Sequence, residues 1–353
     1  MDIKINMLNV KDGDAIIVEL IKPNDTLVMV IDGGEMAYYE SKVKPKLQKI
    51  LKEHHKKAPD VVVCTHYDSD HIGGLIPLVK DYIDDISQVW VHSNSTDIKK
   101  LLLEQEEYNN KGLSVVKLFN EVTLENDLIE ESGFEKSVVL DNKSFVLESL
   151  NQLNQLINLI PGNKLKQVFY NDNPLVNWPE VQVLGPTKEY FENLFSKGKK
   201  IKSLILEELD VLNTDEVLTE VQVSNFNLEE LDPCDKLKSD TTAKITSTNK
   251  ASIIIAIDND NGRYLFTGDA GVESFKKIPN WQTELKNLFF LKVPHHGSNN
   301  NMTKEIAEKM KPKYAYCSGD TFQDEEVIEC LAQKTKDGLV ATTKANGDLY
   351  FNK

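Results

Sequence analysis

Apolar residues recur along the first hundred positions in short runs broken by polar turns. An alternating run covers 2–9, AIIVEL covers 15–20 and LVMVIDGG covers 27–34, with Gly13 and Gly33-Gly34 at the breaks, so three successive strands are predicted. Over 41–57 the apolar positions Val43, Leu47, Ile50 and Leu51 fall on one helical face. That periodicity predicts an amphipathic helix feeding the apolar strand VVVCT at 61–65. LIPLVKDYI at 75–83 is a second helical stripe and VWVHS at 89–93 the next strand, so the opening turns from a meander into βαβ order.

The same order of parts returns at the other end. ASIIIAI at 251–257 and RYLFTGD at 263–269 flank the turn DNDNG, a hairpin signal. The strand FFLKV at 289–293, a helix near 302–310, the strand YAYCS at 314–318 and the pair LVATTK and DLYF follow. The expectation is a single α/β domain whose core spans 1–94 and 241–353. The intervening 95–240 forms an insertion with elaborations on the core, including a helix in SLNQLNQLINLI at 149–160 and a strand in VQVLGP at 181–186.

With 353 residues, 40% of them hydrophobic, the chain can bury one large core or two modest ones, which excludes a disordered or fibrous protein. Lys and Arg number 41 against 56 Asp and Glu, a formal charge of −15, which disfavours a broad basic surface for phosphate backbones and leaves only local nucleic-acid contact. Cysteines at 64, 234, 317 and 330 form no CxxC pair, so free thiols in a reducing, cytoplasmic compartment are expected. No apolar run reaches the roughly 18 residues of a membrane span, and MDIKINMLNVKDGD lacks a signal-peptide layout.

The densest chemistry is THYDSDHIGG at 65–74, which sets His66, Asp68, Asp70 and His71 directly after an apolar strand. Two imidazoles and two carboxylates in six positions have little structural use, whereas one or two divalent cations would satisfy them together. A polar turn capping the next helix through Asp70 explains one carboxylate but neither histidine. Asp269 ends the strand LFTGD, and His295 and His296 end the strand FFLKV in PHHGS. Each cluster alone is weak, but three polar clusters following three strands describe a site assembled at a sheet edge. His54 and His55 read as surface residues, His92 as a strand-end imidazole, and Lys292 and Ser298 as candidates to meet a phosphate or water.

On LNVKDGDAIIVE, IDGG, HYDSDHIGG, NKASIIIAI, LFTGDA, LKVPHHGS and TTKANGDLYF, in this order from end to end, the chain resembles a metallo-β-lactamase-fold hydrolase. Within that superfamily it is most similar to the soluble hydrolase domain of ComEC-type competence proteins, because Asp stands at the third motif position and PHHGS lies downstream. The resemblance implies an αββα sandwich and a two-metal site. His66 and Asp68 would ligate one ion, Asp70 and His71 the other, Asp269 would bridge them, and His295 or His296, with His296 favoured, would complete the second site. Many superfamily members add a histidine near the position of Gly185, and none stands there. ComEC-type domains also often carry a His-Pro loop where this chain has SGDTFQDEEV at 318–327, with Asp320 or Asp324 as substitutes.

Two such cations lower the pKa of a bridging water and hold an electrophile's oxygens. The Asp68 carboxylate admits Mn²⁺ or Mg²⁺ beside Zn²⁺. The leading expectation is a metal-dependent phosphodiesterase or nuclease, with Asp70 and His71 central to catalysis and a nucleotide, a short strand or DNA delivered by a partner as substrate. A hydrolase of another ester, phosphocholine-type or lactone, is the alternative. A partner-regulated, catalytically weakened metal-binding module is the third reading.

Overall fold

The computed structural model describes residues 1–93, 115–195, 199–222, 232–239, 243–335 and 339–352. Strands β1 (Asp2–Met7), β2 (Ala15–Lys22) and β3 (Asp25–Gly33) form an antiparallel meander. Beyond it β4 (Val61–Val63), β5 (Gln88–Trp90) and β6 (Leu165–Lys166) add in parallel. In the second sheet β7 (Val181–Gly185), β8 (Ile254–Asn259) and β9 (Gly262–Phe266) are antiparallel. Parallel to β9 run β10 (Phe290–Lys292), β11 (Tyr314–Cys317) and β12 (Leu339–Thr342). The terminal strand β13 (Leu349–Asn352) returns to β1, giving sheet orders β13-β1-β2-β3-β4-β5-β6 and β12-β11-β10-β9-β8-β7.

Helices α1 (Lys44–Glu53), α2 (Ser69–Ile72) and α3 (Leu75–Tyr82) belong to the first half. The middle contributes α4 (Val115–Ser132), α5 (Lys136–Leu159), α6 (Lys188–Leu194) and α7 (Ile201–Gln222). The second half holds α8 (Ser247–Lys250), α9 (Val272–Lys277), α10 (Trp281–Glu284), α11 (Lys304–Met310), α12 (Glu325–Lys334) and α13 (Thr343–Asn346).

Strand alternation divides the core into layers, because successive side chains leave opposite faces of a sheet. Val61 and Val63 pack with Ile255, Ile257, Tyr264 and Phe290 between the sheets. Val62 instead packs outward with Leu47, Leu75 and Leu150, and Ile254 and Ala256 pack outward with Phe275, Ile306 and Leu331. The order is helix, sheet, sheet, helix. Strands covered on both faces explain the near-continuous apolar runs VVVCT and ASIIIAI.

Two strands of the 95–240 span join the core: β6 pairs with β5, and β7 pairs with β8. The remainder of its described residues is largely helical, and α5 and α7 pack against each other. At the start of α7, Lys199 pairs with Glu207 and Lys202 with Glu131 and Asp127, so both ammoniums are spent on neighbouring carboxylates. Two expectations need correction. Cys234 and Cys330 are joined as a disulfide across 96 residues, with Cα atoms 4.7 Å apart, while Cys64 and Cys317 are buried free thiols. Spacing could not reveal a pair brought together only when the chain before α8 packs on α12, and the expectation of four free thiols fails. His54 is not a free surface residue: its Nε2 lies 2.7 Å from Oε2 of the buried Glu19. Among the described residues no helix is long and apolar enough to cross a membrane.

Candidate metal centre

Asp32 closes β3, the 65–71 loop follows β4, Asp269 follows β9, His295 and His296 follow β10, and Ser318 follows β11. The pairing of these strands carries their carboxyl ends to one edge of the sandwich, where open α/β sheets place their ligands. The seven residues read from the sequence all meet there. Asp269 Oδ2 lies 3.2 Å from His71 Nε2, 3.6 Å from His296 Nε2 and 3.8 Å from both His66 Nε2 and His295 Nε2. Asp70 Oδ2 is 3.4 Å from His296 Nε2 and 3.6 Å from His71 Nε2, and Asp68 Oδ2 is 3.4 Å from His66 Nε2. Two compact donor groups arise among these residues, His66 with His71 and Asp269, and Asp70 with His71 and His296, and a third joins His71 to Asp14 and Asp32. His296 is thus the member of the pair that joins Asp70 and His71, while His295 approaches Asp269 from the rim.

The buried Nε2 atoms of His66, His71 and His296 have no hydrogen-bond partner. Leaving such an atom unmade costs about 1–3 kcal/mol, so three of them converging on one carboxylate fit a cationic ligand and fit poorly with a structural network. Their Nδ1 atoms are held instead. His71 Nδ1 lies 3.0 Å from Asp32 Oδ2, His66 Nδ1 3.1 Å from Thr65 Oγ1, and His296 Nδ1 3.3 Å from Ser318 Oγ. His295 Nδ1 is 2.8 Å from Asn301 Oδ1, and Asn301 Nδ2 donates to the Asp269 carbonyl at 2.8 Å. Partners of this kind set ring orientation and tautomer for metal-binding histidines.

Asp32 and Asp14 stand at the centre without having been picked out by the motif reading, and Lys292 stands there in another place than the expected one. Asp32 accepts from Thr65 N at 2.7 Å and Thr65 Oγ1 at 2.6 Å, tying the loop to β3. Lys292 is fully buried, ion-paired to Asp14 and 3.5 Å from Asp269 Oδ1, and donates to Gly268 O at 3.0 Å. It is therefore sealed behind Asp269, which rules out the expected contact with a substrate phosphate. A buried Asp ending the apolar run LVMVI and a Lys inside FFLKV were the available signals, since neither charge belongs in a core without a partner.

The backbone is strained at the same place. His295 and His296 take φ of 44° and 53°, and Asp32 takes 56°, a region costly for residues with a Cβ. Gly319 makes room: a Cβ there would stand 2.6 Å from the His296 ring. At Gly13 a Cβ would stand 2.0 Å from the Asp70 carbonyl oxygen, so the 12–14 turn lies directly on the ligand loop.

Electrostatics follow from that density. Burial pushes Asp269 upward, but His71, His296 and Lys292 outweigh it and hold the carboxyl well below its ordinary range. Burial alone would drive protons off His71 and His296, and Asp269 with Asp70 reverses this, raising both imidazoles above their usual value. Asp14, Asp32, Asp68, Asp70 and Asp269 against the Lys292 ammonium leave four negative charges, the amount that two divalent cations neutralise.

Above the centre lies a cavity of about 390 Å³, lined by Asp68, Asp70, Asp269 and His295 and walled by Asp141 and Phe145 of α5 and Glu208 and Leu212 of α7. Burial, then Asp68, Glu207 and Asp70, raise the Glu208 carboxyl well above its ordinary range. Ser298 lines the same cavity. His92 lies off the site, with Nε2 2.7 Å from Val168 O and its ring 4.8 Å from that of Phe169. Asp320 pairs with Lys11, and Asp324 accepts from Asn299 N at 2.6 Å, so neither replaces the missing His-Pro loop. Gly185 faces Ile254, and no described histidine enters from β7.

A family profile described as the metallo-beta-lactamase superfamily matches residues 9–116. Over those residues the chain is similar to that superfamily, and its two sheets flanked by helices have the architecture of the metallo-β-lactamase fold. The match takes in the 65–74 motif and Asp32 and spans less than half of the chain. The metallo-beta-lactamase fold protein YhfI from Bacillus subtilis is similar over 100% of both chains, at 11% identity and a TM-score of 0.43. AidC, a dizinc quorum-quenching lactonase solved with a product, N-hexnoyl-L-homoserine, is similar over 72% of this chain and 56% of its own, at 14% identity and a TM-score of 0.31. No curated protein matches the chain significantly. Members of this superfamily are generally metal-dependent hydrolases, and the His and Asp groups described above are candidate metal ligands.

Proposed function

We propose that the protein is a two-metal hydrolase of a phosphodiester. One observation carries the reading: three buried imidazole Nε2 atoms without partners converge on Asp269, beside Asp70 and Asp68. His66, Asp68 and Asp269 would hold one cation, and Asp70, His71 and His296 with Asp269 the other. Bound there, divalent cations supply Lewis acidity and activate water. Asp32 and Ser318 keep the His71 and His296 rings turned inward, and Lys292 fixes Asp269 from behind. The carboxylate-rich donor set suits Mn²⁺ or Mg²⁺ as well as Zn²⁺. Hard oxygen donors, together with the ComEC-type resemblance of HYDSDHIGG and PHHGS, support phosphoryl rather than acyl transfer.

The test measures metal content by elemental analysis and turnover of bis(p-nitrophenyl) phosphate across Mn²⁺, Mg²⁺ and Zn²⁺, for the wild type and Asp269→Asn. Two metals per chain and a loss of about 10³-fold or more in kcat/KM in the variant are expected, several kcal/mol of transition-state stabilisation. Full turnover by the variant would overturn the assignment. A folded wild type that binds no metal would move it to a partner-regulated module, and turnover of a lactone alone to the acyl-ester alternative.

A further inference from the structure

We propose that the cavity over the metal centre selects an ester whose organic substituent is cationic, a quaternary or primary ammonium. The inference rests on the hydrolase reading and names the substrate class of that site.

Seven carboxylates line the cavity, and the described lining residues include no Lys or Arg. Three of the seven, Asp68, Asp70 and Asp269, belong to the proposed ligand set and would face the cations. The other four, Asp12, Glu35, Asp141 and Glu208, are left over as a wall: burial and the neighbouring carboxylates that hold the Glu35 and Glu208 carboxyls above their ordinary range leave both short of a cation, which an entering ammonium supplies. Lys292, the ammonium nearest the centre, is fully buried behind Asp269 and cannot reach the cavity. The single basic group in the lining is His295, whose ring stacks on Phe322 with centroids 5.2 Å apart.

A nucleic-acid strand needs cationic side chains at its phosphates, and this wall offers the opposite sign. Negative walls of low dielectric concentrate cations and repel further anionic groups. Between the carboxylates lie Phe145, Leu212, Ile245 and the exposed ring of Phe322. Aromatic faces and carboxylates together suit an alkylammonium, whose methyl groups are apolar and whose charge is attracted by ring quadrupoles. One anionic phosphate at the metals and one cationic substituent at the wall complement both halves of the cavity.

The test uses the metal-loaded, full-length protein and three chromogenic diesters: p-nitrophenyl phosphorylcholine, p-nitrophenyl thymidine 5′-phosphate and bis(p-nitrophenyl) phosphate. The choline ester is expected to show a kcat/KM at least tenfold above the other two. In Glu208→Gln that preference ratio falls about tenfold, with circular dichroism confirming the fold. Equal or lower kcat/KM for the choline ester, or a ratio that Glu208→Gln leaves unmoved, overturns the inference while the hydrolase reading stands. If none of the diesters is turned over by a protein holding both metals, the phosphodiesterase reading fails, and calorimetric titration with choline decides charge selection alone. Millimolar or tighter binding that weakens about tenfold in Glu208→Gln upholds it, and absence of binding ends it.

Discussion

The ligand loops at the sheet edge and the wall that α5 and α7 raise over them are built differently. In the loops four of the candidate donors have a second anchor: Asp32 behind His71, Thr65 behind His66, Ser318 behind His296, Lys292 behind Asp269. In the wall, Asp141 and Glu208 have no hydrogen-bond partner among the described residues, and each projects from a helix of the middle segment. Metal chemistry needs donors held within fractions of an ångström, while recognition of a charged substituent tolerates looser placement because Coulomb attraction is long-ranged. On the proposed reading the two sheets would carry the chemistry and the middle segment would tune what reaches it.

The largest effect expected from breaking the loop side of this comparison is at Lys292. Lys292→Met leaves Asp14 buried without its cation, and urea unfolding of the metal-free protein should show a loss of about 3–5 kcal/mol. A change within experimental error would mean that Lys292 does not hold the site together.

Next comes the pH dependence of His92, which lies behind the site in the core. Burial lowers its pKa from 6.5 to about 4. The unfolded chain therefore takes up a proton near pH 6.5 that the native state refuses until about pH 4. Stability is complete above the unfolded value and is lost as pH falls through this window, by about 3 kcal/mol in all. His92→Phe should flatten the fall between pH 7 and pH 5 in matched urea titrations of metal-free protein, and parallel curves would contradict the assignment.

Asp32→Asn tests the second anchors directly. It keeps the shape but weakens the hold on His71, and competition with a chromophoric chelator should show metal affinity reduced about 10–100-fold. Unaltered affinity would mean that the ring needs no such support. The smallest effect is expected on the wall side: Asp141→Asn should change metal content not at all and the choline-to-thymidine ester preference by about twofold to threefold, since one exposed carboxylate acts through solvent. A loss of metal in that variant would erase the distinction between loops and wall.

Much of this arrangement was legible along the chain. Alternation and apolar runs marked most of the core strands, because a strand buried on one or both faces must write its burial into its own residues. His66, Asp68, Asp70 and His71 were legible as a group because all four sit within six residues of one strand end. Asp269, His295 and His296 were legible by analogy of position, each after an apolar strand. The Cys234–Cys330 bond was not, since a separation of 96 residues carries no local signal.

Residues near one another in the chain thus specified most core strands, the flanking helices of the two ends and the candidate donors. Packing of the two sheets placed Asp14, Asp32 and Lys292 behind those donors. The tertiary structure also turned the Nε2 atoms of three imidazoles toward Asp269 and Asp70, and walled the cavity with Asp141 and Glu208. These are pairings across 39 residues for Asp32 with His71 and 278 for Asp14 with Lys292. Strand order, not periodicity, brings such groups together, and a buried charge has no meaning until its partner is in place.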